Sequence, residues 1–172
     1  VVEGDYCGDK DYASKRCQKE EDLAVDSGDL SGIAKSVCGW NGGDEDNCVD
    51  KKYAKELYKK AEDLAEDSSD YNDIAVYVAW EQYLGDKKYA RKLYQKAEDL
   101  AEDLNDYNDI AESVADEDYL GDKDWARKLY KKAEDLAEDS GDYSSIAEYV
   151  ADEDYVGDKK YARELYQKAE DL

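Results

Sequence analysis

Residues 85–120 read GDKKYARKLYQKAEDLAEDLNDYNDIAESVADEDYL, and residues 121–156 read GDKDWARKLYKKAEDLAEDSGDYSSIAEYVADEDYV. Laid one on the other, they agree at 27 of 36 positions. The period runs outward in both directions. Gly85, Gly121 and Gly157 mark it, as do Ile74, Ile110 and Ile146, and Tyr53, Tyr89, Trp125 and Tyr161. A repeat beginning near Val49 matches well. The one before it is degenerate: Tyr12 lies 41 residues before Tyr53 and Ile33 lies 41 before Ile74, the extra five falling in Gly39-Trp40-Asn41-Gly42-Gly43. A fixed period of this length marks stacked supersecondary units.

Each repeat codes two helices. Asp122 is a good N-cap after Gly121, and Trp125, Ala126, Leu129, Tyr130, Ala133, Leu136 and Ala137 then recur at spacings of one, three and four. That stripe is wide enough to touch neighbours on two sides. Ser140-Gly141-Asp142 reads as a turn. A shorter helix follows, with Ile146, Ala147, Val150 and Ala151 inside and Glu148 and Asp152 outside. The pattern predicts about nine helices: long ones near 9–27, 50–68, 86–104, 122–140 and 158–172, short ones near 31–39, 71–83, 107–119 and 143–155. Neither kind buries its stripe alone, so neighbouring repeats must stack in an all-α array. Residues 1–48 are expected to form a degenerate N-terminal repeat with an inserted loop, and residues 49–172 the regular repeats of one continuous domain.

The run Gly121-Asp122-x-x-x-Ala126-x-x-x-Tyr130-x-Lys132-Ala133 resembles the second helix of a tetratricopeptide repeat. Gly85, Ala90, Tyr94 and Ala97 repeat the pattern, as do Gly157, Ala162, Tyr166 and Ala169. The resemblance covers residues 49–172 well and 8–38 loosely. The chain departs from the family in its period of 36 rather than 34 and in lacking Pro, and it carries Ile146, Ala147 and Val150 where the family favours Trp, Leu and Gly. The resemblance implies a right-handed α-solenoid that binds proteins or peptides, usually on the concave face lined by the first helices of the repeats. It implies no chemistry.

Composition narrows the function. Lys and Arg number 24 against 47 Asp and Glu, a net charge of −23. That field repels nucleic acids and anionic membrane surfaces, and it favours basic partners or divalent cations. No apolar run approaches the length of a membrane-spanning helix. The chain has no His, the usual general base, and it shows no Cys/His pair, phosphate loop or zinc motif, so no enzymatic activity is expected. It requires no cofactor. Val rather than Met at position 1 predicts a processed chain or a fragment, and no N-glycosylation sequon is present. Four cysteines within the first 48 residues favour a secreted, extracellular or periplasmic location.

The turn before the first short helix is read as centred on Ser27-Gly28. Cys17 and Cys38, and likewise Cys7 and Cys48, are symmetric about it, which suggests nested pairing. The rival, Cys38 with Cys48, leaves Cys7 to reach Cys17 past two helical turns. That is about 12 Å, beyond the roughly 7 Å limit between bridged Cα atoms. Two such staples would fix the least regular end.

Three further features are candidates for function. The triplets Asp44-Glu45-Asp46, Asp116-Glu117-Asp118 and Asp152-Glu153-Asp154 occupy equivalent helix ends, and carboxylate clusters on loops suit Ca²⁺, although none has EF-hand spacing. Long helices carry bases in the first half and acids in the second, so stacking should bring like to like, as with Glu98, Glu134 and Glu170. The plain alternative for all these acids is a solvated face. One repeat breaks the acidic pattern, placing Val76 and Trp80 where others have Glu112 and Asp116. Tyr77 stands beside them and Trp40 at the matching helix end one repeat earlier. They form either a plug under the inserted loop or an aromatic contact patch.

At the chain ends, Val1 and Val2 read as the stub of a short helix. Tyr161, Leu165, Tyr166 and Ala169 lie on a long helix with no following helix to cover them. The leading expectation is therefore a secreted structural subunit that contacts copies of itself head to tail and builds a filament. The alternative is a binding module whose acidic concave face, with Tyr77, Trp80 and Tyr149, holds a basic or aromatic peptide.

Overall fold

Aspartate caps decide where each helix begins. The computed structural model describes residues 17, 19–39 and 50–172. Among the described residues there are eight helices and no strand. The first helices of the repeats are α1 (Ser27–Gly39), α3 (Ser68–Ala79), α5 (Leu104–Ala115) and α7 (Ser140–Ala151). The second helices are α2 (Lys51–Leu64), α4 (Lys87–Leu100), α6 (Lys123–Leu136) and α8 (Lys159–Glu170). Residues 19–21 are helical as well.

The second helices begin where the sequence predicts, after Asp50, Asp86, Asp122 and Asp158, each of which accepts a backbone N–H of the first turn. The boundary that follows lies earlier than expected. α6 ends at Leu136 because Ala137 is extended (φ −68°, ψ 128°). Ser140-Gly141-Asp142 is the first turn of α7 rather than the turn before it. Asp139 accepts from the N–H groups of Gly141 and Asp142, while the Asp142 carboxylate accepts from the Asp139 N–H at 3.3 Å. Asp103 and Asp106 form the same reciprocal cap on α5. An aspartate at each end of a D-x-x-D stretch thus does what Ser and Glu do in the usual capping box.

The chain falls into two compact units, one running to Ala65 and including Gln82–Leu84, the other comprising Glu66–Glu81 and Gly85–Leu172. In the first, α1 packs on α2. In the second, the pairs α3/α4, α5/α6 and α7/α8 are stacked in order, with α5 also meeting α3, α4 and α7, and α7 meeting α6. That is an all-α repeat solenoid. α2, α4 and α6 each bury an Ala-Leu-Tyr-Ala set, such as Ala90, Leu93, Tyr94 and Ala97, and the first helices bury Ile110, Ala111 and Val114 and their equivalents. Small Ala side chains let the helices approach closely. The connection from first to second helix closes on glycine: Gly85, Gly121 and Gly157 have φ of 66°, 65° and 73°. Gly121 N–H donates to Asp116 O at 2.8 Å, and Asp122 N–H to Val114 O at 2.9 Å.

Second helices are tied by a clasp. Glu98 on α4 accepts from the Trp125 indole N–H at 2.9 Å and from Lys132 Nζ at 2.8 Å, both on α6. Glu134 on α6 accepts from the Tyr161 hydroxyl at 2.6 Å and from Lys168, both on α8. In the first unit Glu21 takes the Tyr53 hydroxyl at 2.7 Å and Lys60. Each clasping Lys also lies over a tyrosine of its own pair where the ring contact is resolved, Lys132 over Tyr107 at 5.3 Å and Lys168 over Tyr143 at 5.8 Å. Arg91 reaches the cap Asp122, and Arg127 the cap Asp158. The expectation that like charges stack on the long helices is corrected here. The Lys that meets each glutamate lies 34 residues on, not 36, so acid and base interleave. The side chains of Glu98 and Glu134 are only 12% and 17% exposed, which is not a solvated face.

Burial pushes the Glu134 carboxyl up, but the hydrogen bonds from Lys168 and Tyr161 more than offset it, and its pKa lies below the ordinary 4.5. A depressed acid contributes stability that is full above its unfolded value and is lost as pH falls through the folded one. Replacing Glu134 with Gln is expected to cost about 1 kcal/mol at neutral pH. Melting curves should show the gap to the native chain closing below pH 4.5, the ordinary glutamate value. Gly121→Ala introduces no clash, its nearest neighbour being Glu117 Cα at 3.6 Å, but it forces an L side chain to a φ of 65°. The expected cost is about 1 kcal/mol, seen as a melting temperature lower by roughly 2–4 °C.

Candidate binding face on the first helices

Lysine and arginine are confined to one side of the hairpin. α3 (SSDYNDIAVYVA), α5 (LNDYNDIAESVA) and α7 (SGDYSSIAEYVA) contain none, nor do the loops 80–86, 116–122 and 152–158 that follow them. Their Ile residues, most of their Ala residues, and Val78, Val114 and Val150 are buried, so the exposed surface of these helices holds acids, amides, hydroxyls and rings, with Val76 among them, and no basic side chain. Here like does stack on like. Asp73 on α3 and Asp109 on α5 are one repeat apart. Desolvation, then Asp70 and Asp67, raise the carboxyl of Asp73. Desolvation, then Glu112, Asp106, Asp73 and Asp103, raise that of Asp109.

Glu112 is the centre of this face. It is one helical turn after Asp109 and half-buried. The Tyr155 hydroxyl donates to it at 3.0 Å, and the charge of Glu112 is the main cause that raises the Tyr149 phenol. The rings of Tyr149 and Tyr155 meet edge to face at 5.6 Å. The ring of Tyr130, rising from α6, lies nearly parallel to that of Tyr149 at 6.0 Å. Glu112 holds Tyr155 as a phenol, its pKa pushed up to about 12 by the shared hydrogen bond and then by burial. Burial, then the charge of Glu112, raises Tyr130. The Tyr130 hydroxyl is fully buried and has no hydrogen-bond partner.

One repeat earlier the same positions are apolar. Val76 stands for Glu112, and Trp80 for Asp116. Trp80 is the C-cap residue of α3, and its ring meets Tyr119 edge to face at 6.0 Å. The half-buried Trp80 thus packs on the next repeat's loop tyrosine. Tyr77 bears electrostatically on the same Tyr119. Val76, Tyr77, Trp80, Glu112 and Tyr149 therefore belong to one face, as their spacing suggests. Tyr119, Tyr130 and Tyr155 were not singled out by the sequence reading. Tyr119 and Tyr155 carry a visible signal, a tyrosine directly after the triplets 116–118 and 152–154, whereas Tyr130 reads only as core.

The remaining candidates fare differently. Asp116 and Asp152 are C-cap residues that accept backbone N–H bonds from Asp118 and Asp154 at 2.8 and 2.9 Å. Among the described residues no group of three or more His, Cys, Asp or Glu is arranged to hold a metal. Tyr161 and Leu165 were expected to be wet, and this is corrected. Tyr161 is 7% exposed because it lies across to Glu134, and Leu165 is fully buried. Tyr166 is 40% exposed and Ala169 half-buried. Cys38 is disulfide-bonded and Cys17 is a buried thiol, so the two are not joined to each other. The nested pairing placed the turn at Ser27-Gly28. The helical residues end at Glu21 and α1 starts at Ser27, so the turn lies earlier and does not bring residue 17 level with residue 38. Val1, Val2, Cys7, Trp40, Asp44, Glu45, Asp46 and Cys48 lie outside the described residues. No described helix is long and apolar enough to cross a membrane. No family model, curated protein or solved structure matches the chain.

A fully buried hydroxyl without a partner costs stability. Tyr130→Phe removes it and keeps the ring. The expected outcome is a gain of about 0.5–1 kcal/mol, read as a melting temperature raised by a few degrees, on the order of 2–4 °C. A lower melting temperature would mean the hydroxyl is satisfied.

Proposed function

We propose that the chain is a binding module whose first-helix face holds a basic protein segment. The carrying observation is the segregation of charge. Every Lys and Arg from Lys87 onward lies on a second helix, while α3, α5, α7 and their loops present carboxylates and tyrosine or tryptophan rings. The charges that bear most on Asp109, Tyr149 and Tyr155 are all negative. Carboxylates whose pKa values are raised by desolvation and then by neighbouring acids gain from a cation brought beside them. The net charge of −23 steers the same class of partner. The likeness of the second helices to tetratricopeptide repeats supports this reading, since that family binds on its first helices. The reading assigns no catalysis.

A second reading, self-association into a filament, is supported by Tyr166, which is exposed although its equivalents Tyr94 and Tyr130 are fully buried. The disulfide at Cys38 supports an oxidising, extracellular or periplasmic setting for either reading. Ca²⁺ would be a further ligand of the acidic loops if it raised the melting temperature beyond the effect of equal ionic strength.

Calorimetric titration separates the readings. A basic peptide is expected to bind at low salt with an affinity that falls steeply as ionic strength rises, while an acidic peptide of equal length gives no heat. Fibres by electron microscopy with no peptide uptake would favour the second reading.

A further inference from the structure

Two unlike side-chain clusters belong to this face, each termed a pocket for what it would receive. One is apolar and aromatic: Trp80, the C-cap residue of α3, with Tyr119 from the loop after α5, and Val76 one turn before Trp80. The other is acidic, made by Glu112 on α5 with Tyr149 on α7 and Tyr155 from the loop after α7. They occupy equivalent positions in successive repeats, so the distance between them is that between packed neighbouring helices, roughly 8–10 Å. A polyproline II chain advances about 3.1 Å per residue and returns to the same face every third residue. Two side chains three residues apart in such a segment therefore face one side and span the two.

The acidic pocket has the parts that recognise an organic cation. Glu112 supplies the charge and is held in place by the Tyr155 hydroxyl. Tyr149 and Tyr155 meet edge to face and supply ring surface for a cation–π contact. The Tyr130 ring lies nearly parallel to that of Tyr149, and its buried hydroxyl has no hydrogen-bond partner. Asp109, exposed one turn away, adds a second negative charge at the mouth. The pocket one repeat earlier has Val76 in the place of Glu112 and lacks that charge.

We propose that the Glu112 pocket receives the guanidinium or ammonium group of one Arg or Lys in an extended segment, and that an apolar side chain three residues away covers Trp80. This rests on the binding reading and adds to it a residue, a ligand group and a spacing. Trp80 and Glu112 then read two different side chains of one ligand, which distinguishes a sequence-selective face from a diffuse acidic one.

The test uses a capped peptide of Ser and Gly carrying one Leu with Arg three residues to either side, so that chain direction does not matter. Its partners are the same peptide with citrulline for both Arg, and one with each Arg moved next to the Leu. The arginine peptide is expected to bind the native chain at least tenfold more tightly than either. Glu112→Gln should weaken the arginine peptide about tenfold and leave the citrulline peptide unchanged. Glu148→Gln, the equivalent exposed position one repeat on, removes the same charge and should leave binding within twofold. Circular dichroism melting confirms that each variant is folded. Equal loss with the two variants, or indifference to citrulline or to spacing, overturns the Glu112 site while leaving the binding reading standing. Failure of every basic peptide to bind the native chain overturns both.

Discussion

Stacking of the regular repeats depends on Glu98 of α4 and Glu134 of α6, each two residues before the last residue of its helix. In an array of hairpins the apolar residues fix which faces touch, but Ala, Leu and Tyr stripes tolerate sliding by a turn. Glu98 and Glu134 remove that freedom. Each accepts at once from a ring donor near the start of the next second helix and from a Lys two turns further along it. Two donors on one rigid helix define both its height and its rotation against the acceptor. The Lys is additionally held over a tyrosine of its own hairpin, so the contact couples neighbouring repeats and the two helices of one repeat. Partial burial makes such a carboxylate costly unless paired, which turns the pairing into a condition on the register rather than a decoration of the surface.

That condition organises the rest of the charge. Bases are consumed where second helices meet: Lys132 and Lys168 in clasps, Arg91 and Arg127 on aspartate caps. Lys123 reaches back to the Glu153 carbonyl and Lys87 to that of Glu117. First helices meet Lys132 and Lys168 at the rings of Tyr107 and Tyr143, and their own aspartates at the N-terminus are spent on capping. What is left on the first-helix face is carboxylate among tyrosines. The acidic face is thus the counterpart of how the second helices are bound together.

Much of this was legible in the sequence. The 36-residue period, two helices per repeat, the inward Ile-Ala-x-x-Val set and the caps at Asp86, Asp122 and Asp158 all follow from spacing, and the structure carries each of them. The boundary at Ser140 was misplaced because an aspartate pair acting as a capping box looks like a polar turn. The clasp was not legible. It depends on an axial offset of two residues between stacked helices, and a period of 36 by itself suggests that equivalent residues meet. The same offset explains Tyr161: aligned by period it has no partner, aligned by the clasp it lies against Glu134. Tyr130 was correctly read as core, but spacing says nothing about whether a buried hydroxyl finds a partner.

Strict repetition makes a face that is the same everywhere and selects nothing in particular. Information enters where the period breaks. On the first helices the break falls at Val76 and Trp80, against Glu112 and Asp116 in the next repeat and Glu148 and Asp152 in the one after. The break costs the fold little, because Trp80 still finds the loop tyrosine that its position offers. Ser113 is the second departure, standing between Tyr77 and Tyr149 at the equivalent position, and Tyr149 meets the ring of Tyr155 beside Glu112. An apolar step, a charged step and a ring in consecutive repeats give the face a direction along the array, which the clasp, being identical from repeat to repeat, does not supply. The stacking is set by what the repeats share, and selectivity by the few positions at which they differ.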